Sequence, residues 1–258
     1  RVYIIYRTDS SFLALENDKE TAKKFGFTTD PNEIKTGVYE FKNEELNKTL
    51  TMNVLDGSFK LTYPYTKDQL LLNPTKMPAK TEAIKTASDF LETGDKLNTY
   101  LENGKKEVSY WKIENEVLTS ANSQAEANVA RVDFYRSTLN DLDVLSENVG
   151  QASVSVLVSG SDVADKKILE VDFKDLNIDS ESFSTYPLKT TAEAIEDLNS
   201  GNYWPASDIT TSSVIIRKVY LAYFEPVTLT NYLQPIFVFE GDNNFMAYVP
   251  AIDSGSTK

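Results

Sequence analysis

Oxygen-bearing side chains occupy alternate positions between Asp175 and Asp179, with Asn177 midway, and this spacing is typical of the start of a calcium-binding loop. The motif then departs from the calcium loop twice. Ser180 stands where the loop requires glycine, and Tyr186 stands where it requires glutamate. We therefore treat the three residues as weak metal candidates, and we predict no tightly bound metal ion and no cofactor.

Pairs of carboxylates are a second kind of candidate, because two acidic side chains can hydrolyse a glycosidic bond without histidine. The chain has 39 aspartates and glutamates, so many carboxylates lie near one another by chance. A solvated surface is the ordinary interpretation of such residues, and only a distance in space can select a pair. The candidates are Asp141 with Asp143, Asp172 with Asp175, and Glu225.

Aromatic pairs can form a ligand platform, although packing across a sheet is the commoner role of such residues. Trp204 differs from the others, because Tyr203-Trp204-Pro205 follows a predicted helix stop and is expected to lie in a loop, where side chains often contact partners. We predict a partner-binding surface that contains Trp204, Tyr203 and the polar hairpin tip at Asp242 and Asn243. The pairs are Tyr110 with Trp111, Tyr203 with Trp204, and Tyr63 with Tyr65.

Composition excludes several classes of function. The chain has no cysteine and no histidine, which excludes disulfide frameworks, thiolate catalysis, Ser-His-Asp triads and Cys/His zinc sites. With 26 basic and 39 acidic residues its net charge is −13, so it repels nucleic acids and anionic membrane surfaces. The ten glycines are scattered singly, and none of them forms a phosphate-binding loop.

The elements that must position these residues come from a chain of 258 residues, enough for one large or two ordinary domains. Its 41% hydrophobic residues, with 14 Tyr, 13 Phe and 2 Trp, can form a sizeable core. A small, polar stretch at 120–128 indicates a boundary. We predict domains at 1–125 and 126–252, followed by a flexible tail at 253–258.

Three segments have the apolar period of amphipathic helices, and a glycine follows each of them. They cover about 14–25, 79–93 and 191–200. Thr190 and Glu193 match a capping box at the start of the third helix. The glycines that would end the helices are Gly26, Gly94 and Gly201.

Alternating apolar residues predict strands between and after these helices, and Asp56-Gly57 predicts a hairpin turn. Helices followed by antiparallel strands favour an α+β fold, with two domains of antiparallel sheet and a helix packed across one face of each. The strand at 214–224 is apolar on both faces, so we expect both to be covered. The other predicted strands are 50–54, 59–63, 108–118, 129–135, 153–158, 168–173, 234–239 and 245–249.

The last third of the chain carries the motifs Tyr186-Pro187-Leu188-Lys189-Thr190, Val219-Tyr220-Leu221-Ala222-Tyr223-Phe224 and Tyr232-Leu233-Gln234-Pro235-Ile236. Their order resembles the closing module of YycH/YycI-type extracytoplasmic regulatory proteins. It is also similar to uncharacterised membrane-anchored surface proteins of small-genome bacteria. The first two helices and the Asp56-Gly57 hairpin are similar to PepSY-like modules.

This resemblance implies a domain outside the cytoplasmic membrane that binds and modulates other proteins without catalysis. The motifs are structural, so they carry over no functional residue. The sequence begins at Arg1 in strand-like residues, and we expect a membrane anchor to have been removed. Two other classes remain open, a carboxylate-based glycan hydrolase and a structural subunit of a surface layer or appendage.

Overall fold

The computed structural model of the chain describes residues 1–6, 12–72, 76–208, 213–226, 230–253 and 255. These residues form an α+β protein with two compact units. Unit 1 is built from three separate segments, Arg1–Arg7, Ser137–Gln151 and Leu176–Lys258, and unit 2 from Thr8–Arg136 and Ala152–Asp175. Each unit contains one sheet and at least one helix, which confirms the predicted fold class.

In chain order the strands are β1 (Val2–Ile5), β2 (Asn32–Lys35), β3 (Val38–Asn43), β4 (Lys48–Asn53), β5 (Phe59–Thr62), β6 (Lys106–Glu114), β7 (Val117–Ser120), β8 (Val129–Phe134), β9 (Val144–Ser146), β10 (Val154–Ser159), β11 (Ile168–Phe173), β12 (Ile178–Ser184), β13 (Trp204–Pro205), β14 (Ile216–Glu225), β15 (Tyr232–Gly241) and β16 (Met246–Pro250). The α-helices are α1 (Phe12–Lys24), α2 (Gln69–Leu72), α3 (Lys80–Thr93), α4 (Thr99–Asn103) and α5 (Thr191–Asn199).

The sheet of unit 2 has nine antiparallel strands in the order β2-β3-β4-β5-β11-β10-β8-β6-β7. Helix α3 lies across β10, β8 and β6 and buries Ala83, Ala87 and Leu91 completely. Small residues on one stripe let the helix approach the sheet closely. The opposite face is covered at one end by Leu71 of α2, which packs on β8, β10 and β11 residues.

Phe25, directly after α1, joins the same core, and its ring stacks on Phe90 of α3 at 4.4 Å between centroids. A glycine that ends a helix commonly takes the left-handed conformation, but the φ of Gly94 is −88° and Asp95 takes the positive value of 56°. Glycine is required at 94 for another reason. A Cβ there would overlap the ring of Phe25.

The sheet of unit 1 has the order β12-β1-β15-β14-β9, and β16 joins β15 and carries β13 on its other edge. Its pairs are antiparallel except for β14 with β9, which is parallel. Helix α5 packs against β16 through Ala194, and it begins with the predicted capping box of Thr190 and Glu193. The helix therefore covers one face of this sheet, as the sequence predicts.

Strand β14 confirms the expectation that both of its faces are covered. Its residues alternate between two apolar clusters on opposite faces of the sheet, so that Leu221 packs with α5 and Ala222 packs with Tyr248. None of the six residues from Val219 to Phe224 is exposed. The sequence of a strand that is buried on both faces is typically a continuous run of apolar residues.

Two features of the strand prediction were wrong. The segment predicted as one strand at 108–118 is the hairpin β6–β7, which turns at Asn115 and Glu116 with φ values of 52° and 64°. Positive φ at both central turn positions matches the right-handed twist of a two-residue hairpin. Strands β2, β3, β9 and β12 were missed, because they are short or polar.

The bounds of the two units also differ from the predicted boundary at 125/126. That boundary falls between β7 and β8, and both strands pair with β6 in the sheet of unit 2. The small, polar stretch is therefore a connection within one sheet. Of the predicted tail at 253–258, only residues 253 and 255 belong to the described part of the chain.

We predict that Gly94→Ala lowers the free energy of unfolding by about 1–3 kcal/mol, because the added methyl group displaces the Phe25 ring from its stack on Phe90. Urea unfolding followed by circular dichroism measures the change. The matched control is Glu92→Ala, at an exposed position near the end of the same helix. Equal stability of the two variants would contradict this packing role.

Candidate functional site

Trp204 lies on an edge strand, and the loop position predicted for it was wrong. Strand β13 places Trp204 opposite Tyr248 of β16 and Pro205 opposite Ala247. The side chain of Trp204 is nevertheless 46% exposed, and its indole Nε1–H donates a hydrogen bond of 3.3 Å to the carbonyl oxygen of Glu147. The structure thus holds a large aromatic ring at the surface in a defined orientation.

A cleft of about 620 Å³ lies beside this strand. The segment after β9 closes one side, where the backbone N–H of Val149 donates to the carbonyl oxygen of Ala206 at 3.2 Å. The backbone N–H of Ala206 in turn donates to the carbonyl oxygen of Met246 in β16 at 3.0 Å. The described residues that line the cleft are Asn148, Val149, Pro205, Ala206, Ser207, Asp208 and Asn244.

Pro205 hinders the pairing of another strand with the outer edge of β13. Backbone groups of successive residues in an antiparallel pair point alternately toward and away from the partner strand. Because Ala206 bonds to β16, the backbone of Pro205 faces away from that strand. Proline has no N–H to donate, and proline on an edge strand hinders the addition of another strand. This edge of β13 is therefore a poor template for an added strand.

The other predicted partner-binding residues do not all belong to this cleft. Tyr203 packs on the opposite face of the sheet, in the apolar cluster with Ala194 of α5. Asp242 accepts two hydrogen bonds from Arg217, of 2.7 and 2.8 Å, and this guanidinium lowers the pKa of Asp242. Asn243 is exposed at the hairpin tip, but its neighbour Asn244 is the residue that lines the cleft.

The remaining aromatic pairs serve packing. Tyr63, Tyr65 and Trp111 pack around the apolar cluster that α2 covers, whereas Tyr110 points to the opposite face and donates its O–H to the carbonyl oxygen of Pro78 at 2.9 Å. The indole of Trp111 donates to Ser109 Oγ at 2.9 Å. These contacts agree with cross-strand packing as the ordinary role of aromatic residues in strands.

Asp175, the first weak metal candidate, forms a buried ion pair with Arg136 instead of facing an open loop. The exposed fractions of the two side chains are 3% and 1%. Asn98 Nδ2 donates to the other carboxylate oxygen of Asp175, while Asn98 Oδ1 accepts from the backbone N–H of Leu101 at the start of α4. The carboxylate of Asp175 is thus occupied by protein donors.

Asp179 and Asn177 likewise show no calcium-loop geometry. Asp179 lies in β12, where its carboxylate accepts from the O–H of Tyr6 at 3.0 Å and the backbone N–H of Glu181 at 2.9 Å. Further hydrogen bonds from Ser182 to this carboxylate are the largest cause of the lowered pKa of Asp179. The backbone carbonyl oxygen of Asn177 accepts a hydrogen bond from the backbone N–H of Tyr6. Across the described ranges of the chain, no three acidic side chains come together in a group that could hold a metal ion.

Of the predicted catalytic carboxylates, Asp172 and Asp175 are engaged in ion pairs. Asp172 pairs with Lys174 at 2.9 Å, and Asp175 pairs with Arg136. Asp141 lies in a turn with a φ of 62°, and the backbone carbonyl of Asp143 accepts from Tyr223 N–H. Glu225 is buried at the end of β14.

A second cleft, of about 420 Å³ in unit 2, contains four carboxylates that sequence reasoning missed. They are Asp30, Glu40, Glu44 and Glu45, and Glu40 forms an ion pair with Lys42 at 3.0 Å. All four contact solvent. Exposed carboxylates are ordinary on a solvated surface, so their number alone does not identify a catalytic site.

Asp18 of α1 is a buried titratable group that no sequence pattern indicated. It is 8% exposed, and within the described part of the chain its Oδ2 has no hydrogen-bond partner. Burial raises the pKa of Asp18 to about 6, with a smaller increase from Asp56 and an opposing effect of Lys96. Burial also lowers the pKa of Lys96, as expected when desolvation disfavours each charged form.

Comparison with known proteins adds information about the fold. No family model matches the chain, and no curated protein sequence matches it. Among solved structures it is similar to an uncharacterised protein from Eubacterium rectale, with a TM-score of 0.50 and 11% identity over 100% of this chain and 79% of that one. It is also similar to the YpeB C-terminal domain of Bacillus megaterium, with a TM-score of 0.39 and 13% identity over 97% and 96%. The first likeness supports the α+β fold alone. Within the described residues, no helix is both long and apolar enough to span a membrane.

We predict that Asp175→Asn lowers the free energy of unfolding by about 3 kcal/mol, because it leaves the buried charge of Arg136 without its counter-ion. The control is Asp172→Asn, which removes an ion pair with Lys174 that is open to solvent and should change stability by less than about 1 kcal/mol. Denaturant unfolding compares the two. Similar losses for both variants would show that burial does not increase the contribution of the Asp175–Arg136 pair to the free energy of unfolding.

We predict that Asp18 makes a contribution to stability that is lost as the pH rises from about 4 to about 6, because Asp18 has a higher pKa in the folded state than in the unfolded chain. Asp18→Asn removes this dependence and raises the free energy of unfolding at neutral pH by up to about 3 kcal/mol. Thermal unfolding across this pH range measures the effect. Glu20→Gln, at an exposed position on the same helix, is the control, and a wild-type-like pH profile for Asp18→Asn would refute the assignment.

Proposed function

We propose that this chain is a non-enzymatic protein-interaction module that acts outside the cytoplasmic membrane and binds its partner with the surface around Trp204. The observation that carries the proposal is an exposed tryptophan whose ring is oriented by a hydrogen bond to Glu147 and whose neighbour in the chain, Pro205, lines a cleft. Tryptophan is enriched among the residues that contribute most to binding energy at protein interfaces.

Two physical arguments favour this use of Trp204. An exposed large aromatic ring lowers solubility, and a binding role gives a reason for keeping Trp204 at the surface. Its position in β13 and its hydrogen bond to Glu147 also restrict the ring before a partner arrives, which reduces the conformational entropy lost on binding.

The location outside the cytoplasm and the regulatory role rest on sequence resemblance. The motifs between Tyr186 and Ile252 resemble YycH/YycI-type extracytoplasmic regulatory proteins, and the helix–hairpin segments are similar to PepSY-like modules. A protein partner at the cell envelope is the kind of ligand that this resemblance implies. The net charge of −13 supports a protein partner over a nucleic acid.

We predict that Trp204→Ala abolishes retention of one specific envelope protein while leaving the fold intact, because the substitution removes an exposed anchor that belongs to neither apolar cluster of the unit 1 sheet. Capture from the native membrane fraction, followed by mass spectrometry, compares wild type and variant. The matched control is Leu70→Ala, which removes a 63% exposed apolar side chain from unit 2.

The proposal requires a protein that wild type and Leu70→Ala retain and that Trp204→Ala loses. Equal retention by all three proteins would place the binding surface elsewhere. Circular dichroism of each variant establishes that the fold is unchanged.

A further inference from the structure

We propose that the group of the partner that enters the cleft beside Trp204 is a cationic side chain, either a lysine ammonium or an arginine guanidinium. This inference rests on the proposed function, because it specifies the chemistry that the same surface recognises. Three features support it: the carboxylate and the two amide side chains that line the cleft, and the exposed ring of Trp204, which is next to the lining residue Pro205 in the chain.

The charge of the side chains that line the cleft favours a cationic ligand. Asp208 is exposed, and no hydrogen bond or ion pair joins it to any described residue. Among the described residues that line the cleft there is no lysine and no arginine. Arg217, a cation near the hairpin tip, is occupied by its two hydrogen bonds with Asp242. A cation from a partner therefore finds an available carboxylate and no lining cation to repel it.

The indole ring of Trp204 favours a cationic ligand as well. Its single donor, Nε1–H, already bonds to the carbonyl oxygen of Glu147, so the ring can offer a ligand only its π-face and edges. Tryptophan has the most favourable π-face for a cation, and arginine is the cation found there most often. The ring and Asp208 thus favour the same class of ligand.

Two asparagine side chains that line the cleft can accept hydrogen bonds from a cation. Asn148 Nδ2 donates to Gln151 Oε1 at 3.1 Å, which orients that amide. Asn244 is exposed at the end of the last hairpin, and its side chain is bonded to none of the described residues. Amide oxygens accept hydrogen bonds from ammonium and guanidinium groups. Because Pro205 offers no N–H at the strand edge, such side-chain contacts replace strand addition.

Nuclear magnetic resonance can test the inference on the whole chain, because its two indole N–H signals report on different units. The probe is an uncharged Gly/Ser peptide with acetylated and amidated ends that carries two arginines. The comparison peptides carry two citrullines, which are neutral and nearly isosteric, or two glutamates. Trp111, whose indole bonds to Ser109 in unit 2, is the internal control.

We predict that the arginine peptide shifts the indole signal of Trp204 and not that of Trp111, with binding at least about fivefold tighter than for the citrulline peptide. Asp208→Asn should weaken arginine binding about threefold or more, and added salt should weaken it further. Equal binding of the citrulline peptide, preference for the glutamate peptide, or no shift at Trp204 would each overturn the inference.

The outcome is separable from that of the proposed function. If Trp204→Ala loses its protein partner while the arginine peptide shows no preference, the surface binds a partner by another chemistry and only this inference fails. If Trp204→Ala retains every partner, the proposed function fails whatever the peptides do.

Discussion

The candidate surface depends on strand β15, because β15 forms backbone hydrogen bonds with three other strands of unit 1. One edge is occupied by β14 along its length, while the other edge is shared by β1 and β16. Strand β16 then carries β13, and β13 carries Trp204. Pro235 is buried within β15, although we expected it at the start of the strand. It lies where pairing with β1 at Leu233 gives way to pairing with β16 at Ile236, so its missing N–H interrupts no continuous ladder.

Unit 2 depends on a different constraint, the burial of charge at the ends of its two chain segments. Arg136 ends the first segment and Asp175 ends the second, and their side chains form an ion pair that is nearly inaccessible to water. Two buried charges are stable only when each compensates the other and their remaining hydrogen-bonding atoms are satisfied. Asn98 supplies one of those bonds and also begins α4, so the charge pair, the helix start and the segment ends are fixed together.

Much of the secondary structure was predictable, because periodicity and capping act locally. The capping box at Thr190 and Glu193, the turn at Asp56-Gly57 and the apolar run from Val219 to Phe224 all form as their local chemistry implies. Long-range pairing was not predictable. Nothing in the sequence near residue 125 shows that β8 pairs with β6. No short motif indicates that β1, at one end of the chain, pairs with β15 near the other.

The candidate site was predictable only in part, for the same reason. Trp204 was identified from its local sequence, and its exposure agrees with the prediction. The prediction could not show that Tyr203 packs on the opposite face, that Arg217 occupies Asp242, or that the segment around Val149 closes the cleft. Each of these facts depends on which strands are neighbours. The ion pair of Asp175 was not predictable either, because its partner Arg136 lies 39 residues away in the chain.

The central claim is that Trp204 contacts a protein partner. Site-specific photo-crosslinking tests it most directly, with a photoreactive phenylalanine derivative placed at position 204 or, for comparison, at the exposed position 70 of unit 2. We expect a covalent adduct with one envelope protein from position 204 and no such adduct from position 70. The absence of any adduct at 204, or the same adducts at both positions, would contradict it.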